Sequence, residues 1–165
     1  MFRKAFKPRS AFSLVICVAV LVQILFAYFF FSSPPRTTRY VILTFDDSGQ
    51  DNQGDESARI MGEYGYKGVA FLVVEWTDKS SPVWSSLVER GWELGSHTWS
   101  HKNVSHLSTE MLYHEILDSR NWIEQTFNVT VISFAYPYSK GSDNQTVIRV
   151  LAEAGYLYAR ESMRR

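Results

Sequence analysis

The sequence is nearly without cysteine, and its one thiol, Cys17, lies inside an apolar run. No disulfide can form within the chain, and a cysteine-based zinc site is excluded. Basic residues are scarce where a nucleic-acid surface would need them. Arg3, Lys4, Lys7 and Arg9 sit in the first ten residues with no acid among them, whereas from Ser32 onward 13 Lys and Arg face 17 Asp and Glu. A mildly acidic domain with no basic stripe argues against nucleic acid as a partner. Internal repeats and low-complexity tracts are also missing, which sets aside solenoids and biased tails.

What is present begins with a charge-free stretch, Ala11 to Phe31 (AFSLVICVAVLVQILFAYFFF). As a helix it rises about 1.5 Å per residue, enough for a hydrocarbon core roughly 30 Å thick. Basic residues stay on the cytoplasmic side, so residues 1–10 are expected as a cytoplasmic tail and residues 11–31 as a transmembrane signal-anchor helix. Everything after Ser32 is then expected outside. A cleaved signal peptide is the alternative, but the run exceeds a usual h-region and Phe29 to Pro35 offers no small-x-small cleavage site. Residues 32–39, with SSPPRTT at their start, read as a short stiff linker.

Residues 40–165 suit one modest domain. Tyr40–Phe45, Gly68–Val74, Trp92–Leu94, Val131–Ala135 and Tyr156–Ala159 are expected as strands. Between them, Ser57–Tyr64, Ser81–Arg90, a segment opened by Ser108 and Asn144–Ala154 are expected as helices. Ser81 and Pro82 form an N-cap and first helical position, and Gly91 a C-cap. Leu112, Ile116, Ile123 and Phe127 share one helical face. Alternating strands and helices predict an α/β fold with parallel βα units. In such folds chemistry collects at the C-terminal ends of the strands.

Three clusters follow strands directly. Thr44-Phe45-Asp46-Asp47 places two adjacent carboxylates where only a compensating cation makes both comfortable. One acid can hold the metal and its neighbour act as base; an ordinary polar loop is the bland reading. His97-Thr98-Trp99-Ser100-His101 carries histidines at i and i+4, which share one face of a helical turn and can grip one ion. Two unrelated surface histidines are the alternative. Phe134-Ala135-Tyr136-Pro137-Tyr138 makes a rigid aromatic-proline wall, with the Tyr138 N–H available to an oxyanion. A strand end with a proline stop explains that stretch equally well.

Together, and in this order, the three motifs resemble the polysaccharide deacetylase family, also called the NodB-homology family or fourth carbohydrate-esterase family. T-F-D-D is matched by Thr44 to Asp47, H-[S/T]-x-x-H by His97, Thr98 and His101, and the end of R-x-P-Y by Pro137 and Tyr138. Gly95, Ser96, Leu107, Ser108 and the stretch Gly155 to Arg160 extend the likeness over Tyr40 to about Ser162. The F-A-Y-P form looks like the poly-N-acetylglucosamine deacetylase branch. Ala135 stands where the third motif has arginine, the residue that steadies the base, so a different setting is implied for Asp46.

The resemblance implies a partial, distorted (β/α) barrel of the NodB-homology type after one transmembrane helix. It implies Asp46 as base, Asp47, His97 and His101 as ligands of a divalent metal, Tyr138 N–H as oxyanion donor, and Tyr136 and Pro137 against substrate. Zinc fits the His/carboxylate set best. The implied partner is an acetylated polysaccharide and the implied reaction N-deacetylation. The late motif that supplies a general-acid histidine has no match, because no histidine follows His114. A truncated product, a fragment, or a glycan- or metal-binding module without turnover therefore stands beside the enzyme, as does an esterase of O-acetylated xylan. Three N-x-[S/T] sequons, at Asn103, Asn128 and Asn144, are glycan acceptors only in a glycosylating compartment.

Overall fold

The computed structural model describes residues 9–31, 40–49 and 53–162. The basic tail up to residue 8 and the SSPPRTT linker lie outside the described residues. The chain divides into two units, Met1–Tyr40 and Val41–Arg165.

In the first unit the apolar run is helical over Arg9–Phe31 (α1). Side chains are described for residues 14–28, and all of them are exposed. Among the described residues no helix is long and apolar enough to cross a membrane. The helix expected from the sequence is present; its crossing of a bilayer is not shown.

The second unit is a five-stranded sheet in the order β1-β2-β3-β4-β5, with every neighbouring pair parallel. The strands are β1 Leu43–Ser48, β2 Gly68–Leu72, β3 Glu93–Ser96, β4 Ser133–Ala135 and β5 Tyr158–Arg160. The helices are α2 Gln53–Glu63, α3 Pro82–Glu89, α4 Thr109–Tyr113, α5 Ser119–Phe127 and α6 Gln145–Glu153. This is the parallel half-barrel of the expected class. β1 and β5 are its two outer strands, while β2 and β4 are buried throughout.

Local chemistry explains the boundaries. Ser81 accepts from Val83 N to cap α3, with Pro82 at the first turn. Gly91, at φ 81°, ends that helix as Trp92 N returns to Leu87 O. Ser108 caps α4 through Met111 N, and Asn144 caps α6 through Thr146 N and Val147 N. α4 passes into α5 through a π-helical turn, His114–Asp118. β1 starts three residues later than expected, because β2 begins at Gly68, the register partner of Leu43. Tyr40, Val41 and Ile42 have no strand beside them and stay 85, 84 and 75% exposed. β5 likewise runs Tyr158–Arg160 rather than Tyr156–Ala159, following its register with Ser133 to Ala135.

The helix-facing side of the sheet carries the core. Leu72, Leu94 and Phe134 are buried against Leu112, Ile116, Ile123, Val147 and Val150. The other face holds a separate small cluster, Val69, Phe71 and Ala135. Alternate residues on a strand face opposite ways, so Phe71 and Leu72 necessarily serve different layers.

Leu72 is fully buried in a central strand. Leu72→Ala is expected to lower the unfolding free energy by about 2–5 kcal/mol. Tyr64→Ala, at a position 72% exposed, is expected to change it by less than about 0.5 kcal/mol. Chemical denaturation of both variants checks the burial assigned to each.

Candidate functional site

All strands point the same way, so their C-terminal ends form one rim. β1 delivers Asp46 and Asp47. Its register with β2 slips between Phe45 and Ser48, putting both acids in a β-bulge within the strand rather than after it. A bulge re-aims consecutive side chains, and the two carboxylates part company here. Asp46 pairs with Arg160 Nη2, and Asp47 turns to the histidines. The turn costs Asp47 a left-handed backbone, φ 55°.

β3 delivers the histidines, but not by the helical turn expected from their spacing. Residues 97–103 form an irregular loop. Thr98 (φ 73°) and His101 (φ 58°) are both left-handed, and His101 N donates to Thr98 Oγ1 at 2.9 Å. That side-chain bond closes the loop and returns His101 toward His97, with ring centroids 4.8 Å apart. A left-handed non-glycine residue is uncommon. Five of them, Asp47, Thr98, His101, Tyr138 and Ser139, gather at this rim, while Asn128 at the end of α5 is the other among the described residues.

The three donors converge. Asp47 Oδ1 lies 3.0 Å from His101 Nε2 and 3.5 Å from His97 Nε2. All three ligand atoms fall within 4.8 Å of one another. His97 is 2% exposed, and its Nδ1 is 2.8 Å from Ala135 O. A carbonyl only accepts, so Nδ1 carries the proton and Nε2 presents a lone pair. Burial holds the His97 pKa below the ordinary histidine value, against the raising effects of the Ala135 bond and nearby Asp46. A neutral imidazole facing a carboxylate oxygen is repelled unless a cation lies between them. This donor set fits a divalent metal, with the Ala135 bond orienting the ring as metal-binding histidines require.

Glu115, which is hard to recognise from the sequence, holds the loop. It is fully buried in the π-helical turn. Its carboxylate accepts from Ser100 N at 2.9 Å and Ser100 Oγ at 2.5 Å, and Lys102 Nζ lies 3.5 Å away. Its backbone carbonyl accepts from Trp99 N at 3.1 Å. The signal available in the sequence was an acid on the apolar face of a helix, one residue before Ile116.

The aromatic turn divides its roles. Tyr136 is 7% exposed and packs edge-on against Phe134 at 5.3 Å, in the core. Pro137 is also buried. Tyr138 is 64% exposed, with its ring 4.7 Å from His101; the Trp76 ring lies 4.9 Å from His101, tilted by 43°. The aromatic surface offered beside the donors is therefore Tyr138 and Trp76, the latter not anticipated. His114 pairs with Asp118 and His106 is exposed in the turn Val104–His106. Neither belongs to the donor cluster. A hollow lined by Tyr66, Lys67, Arg90 and Trp92 lies where β2 and β3 begin, at the end of the sheet opposite these donors.

A family model described as polysaccharide deacetylase matches residues 33–159. The peptidoglycan-N-acetylglucosamine deacetylase of Bacillus cereus is 25% identical over 122 residues, which cover 74% of this chain and 56% of that protein. A family 4 acetyl xylan esterase from Clostridium thermocellum, solved with a cobalt ion, matches with TM-score 0.60 and 25% identity over 68% of this chain and 54% of its own. A family 4 pseudoenzyme from Bacillus anthracis matches with TM-score 0.66 and 20% identity, over 74% and 43% of the two chains. The chain thus spans little more than half the length of the curated relative.

Metal titration followed by dialysis tests the donor set. Wild type is expected to retain one equivalent of a divalent metal, which His97→Ala and Asp47→Asn lose. Glu115→Ala is expected to weaken retention by roughly tenfold or more, the usual scale for groups that orient ligands. Glu110→Ala, at an exposed helix position, is expected to leave retention unchanged.

Proposed function

Because the chain belongs to the polysaccharide deacetylase family, we propose that it is a metal-dependent hydrolase removing N-acetyl groups from a polysaccharide. The observation that carries this reading is the convergence of Asp47, His97 and His101 beside a separately held carboxylate, Asp46. Asp47, His97 and His101 would hold a divalent ion, zinc by preference for this N/O set, which would lower the pKa of a water and offer positive charge to an oxyanion. Asp46 takes the proton of the attacking water. The Tyr138 N–H meets the oxygen of the acetamide carbonyl as it becomes negative. The Tyr138 and Trp76 rings, both beside His101, give the sugar an apolar surface.

The leaving amine needs a proton, and among the described residues neither His106 nor His114 joins the donor cluster. That observation favours a second reading, a module that holds metal and glycan without turnover. An ester substrate such as O-acetyl xylan asks less of the leaving group and is the third. Acetate release from N-acetyl chito-oligosaccharides and from O-acetyl xylan, with zinc present, separates the three. The proposal expects release from the N-acetyl substrate and a fall of about 10²–10⁴ in Asp46→Asn. Glycan retention with no acetate from either substrate sinks it in favour of the binding module.

We further propose that α1 tethers the domain to the outer side of a membrane. Supporting it are the charge-free run of residues 11–31, the four basic residues before it, and the exposure of its described apolar side chains. Alkaline carbonate extraction is expected to leave the chain in the membrane pellet, with the domain open to external protease. Release into the supernatant contradicts the tether.

A further inference from the structure

The geometry points to Arg160 as the positioning residue for Asp46. Nothing in the three motifs includes it. Arg160 is the last residue of β5, and its Nη2 meets Asp46 Oδ1 across the rim. The two side chains are 30 and 28% exposed, so the pair is shielded in part from water and salt.

Three further observations show that the guanidinium is placed rather than merely present. It lies over the ring of Phe71 with its carbon 5.1 Å from the centroid. Phe71 can lie there because Gly95 has no side chain; a Cβ on Gly95 would come within 2.6 Å of the Phe71 ring and of Ser133 Oγ. The Nε of Arg160 is buried with no acceptor, an arrangement that simple packing does not call for, since an apolar side chain would fill the same space without an orphaned donor. The backbone is fixed as well, because Tyr136 N donates to Arg160 O at 3.0 Å.

The sheet register explains how this residue reaches the acid. Ala135 of β4 and Arg160 of β5 are register partners. Register partners on parallel strands face the same side of a sheet, about 4.8 Å apart. Ala135 is the position where the third motif carries arginine. The charge has therefore moved one strand outward while keeping the same face and level. Fixing Oδ1 of Asp46 leaves its other oxygen to take a proton from water. Asp46 then stays apart from the Asp47 donor despite their adjacency in the chain.

This inference rests on the hydrolase reading, and its test separates the two. Arg160→Gln keeps much of the side chain's length and removes its charge. It is expected to lower kcat for acetate release by about a hundredfold, the scale of a misplaced reacting group, with KM and zinc content unchanged. The double variant Arg160→Ala/Ala135→Arg, which returns the guanidinium to β4, is expected to recover most of that loss, whereas Arg160→Ala alone does not. A merely structural role would lower zinc content and melting temperature together and would not respond to the transplanted charge. Wild-type kcat in Arg160→Gln overturns the inference alone, and so does a fall in zinc content that accounts for the lost activity. No acetate from wild type on either substrate overturns the hydrolase reading and this inference with it.

Discussion

The loop that carries both histidines is held from below by one carboxylate, and the rest of the rim depends on that contact. Burying Glu115 completely would cost several kcal/mol if its charge were unmatched. The Ser100 amide, the Ser100 hydroxyl and the Lys102 ammonium match it. The same residue's carbonyl takes Trp99 N, so one position in the helix layer holds three residues of the loop, 99, 100 and 102. A π-helical turn carries Glu115. Such turns insert a residue into a helix and occur often at functional sites.

The sheet serves two layers with different tasks. Its helix-facing side is a continuous apolar core, from Leu72 through Leu94 to Phe134. Its opposite side is thin and mostly polar around Val69, Phe71 and Ala135. Ser133 Oγ donates to Glu93, and Tyr158 OH donates to the same carboxylate at 3.3 Å. The strand ends join the layers. Ser96 Oγ meets Ser119 Oγ at 2.8 Å on the helix side, while its neighbour His97 reaches Ala135 O. Alternation along a few residues of β3 thus ties the donor set to both layers.

The sequence made the strand count, the parallel pairing, the cap at Ser81, the helix opening at Ser108 and the trio that meets at the rim, Asp47, His97 and His101, readable, because each rests on a local pattern. Apolar β-branched runs mark strands, Ser-Pro marks a helix start, and paired acids or histidines mark ligands. What stayed hidden depended on neighbours distant in the chain. The bulge that separates Asp46 from Asp47 arises only in register with β2. The fold of the histidine loop arises only with Thr98 and Glu115 in place, so spacing alone suggested a helical turn. The i, i+4 rule described the right pair for the wrong reason. The resemblance implies Tyr136 against substrate, while the layer beneath β4 takes its ring into the core. Arg160 could not be linked to Asp46 from the sequence, since the two lie at opposite ends of the domain, 114 residues apart.

The left-handed residues at the rim affect how the domain comes apart. Each holds its backbone in a region that a free chain visits rarely, and each therefore regains conformational freedom on release. The core strands and helices have no such reserve. Partial opening is therefore expected to begin around Asp47, Thr98, His101, Tyr138 and Ser139, before Leu72, Ile116 and Phe134 lose their packing. A cation shared by Asp47 and the histidines would act as a clasp across this part of the rim.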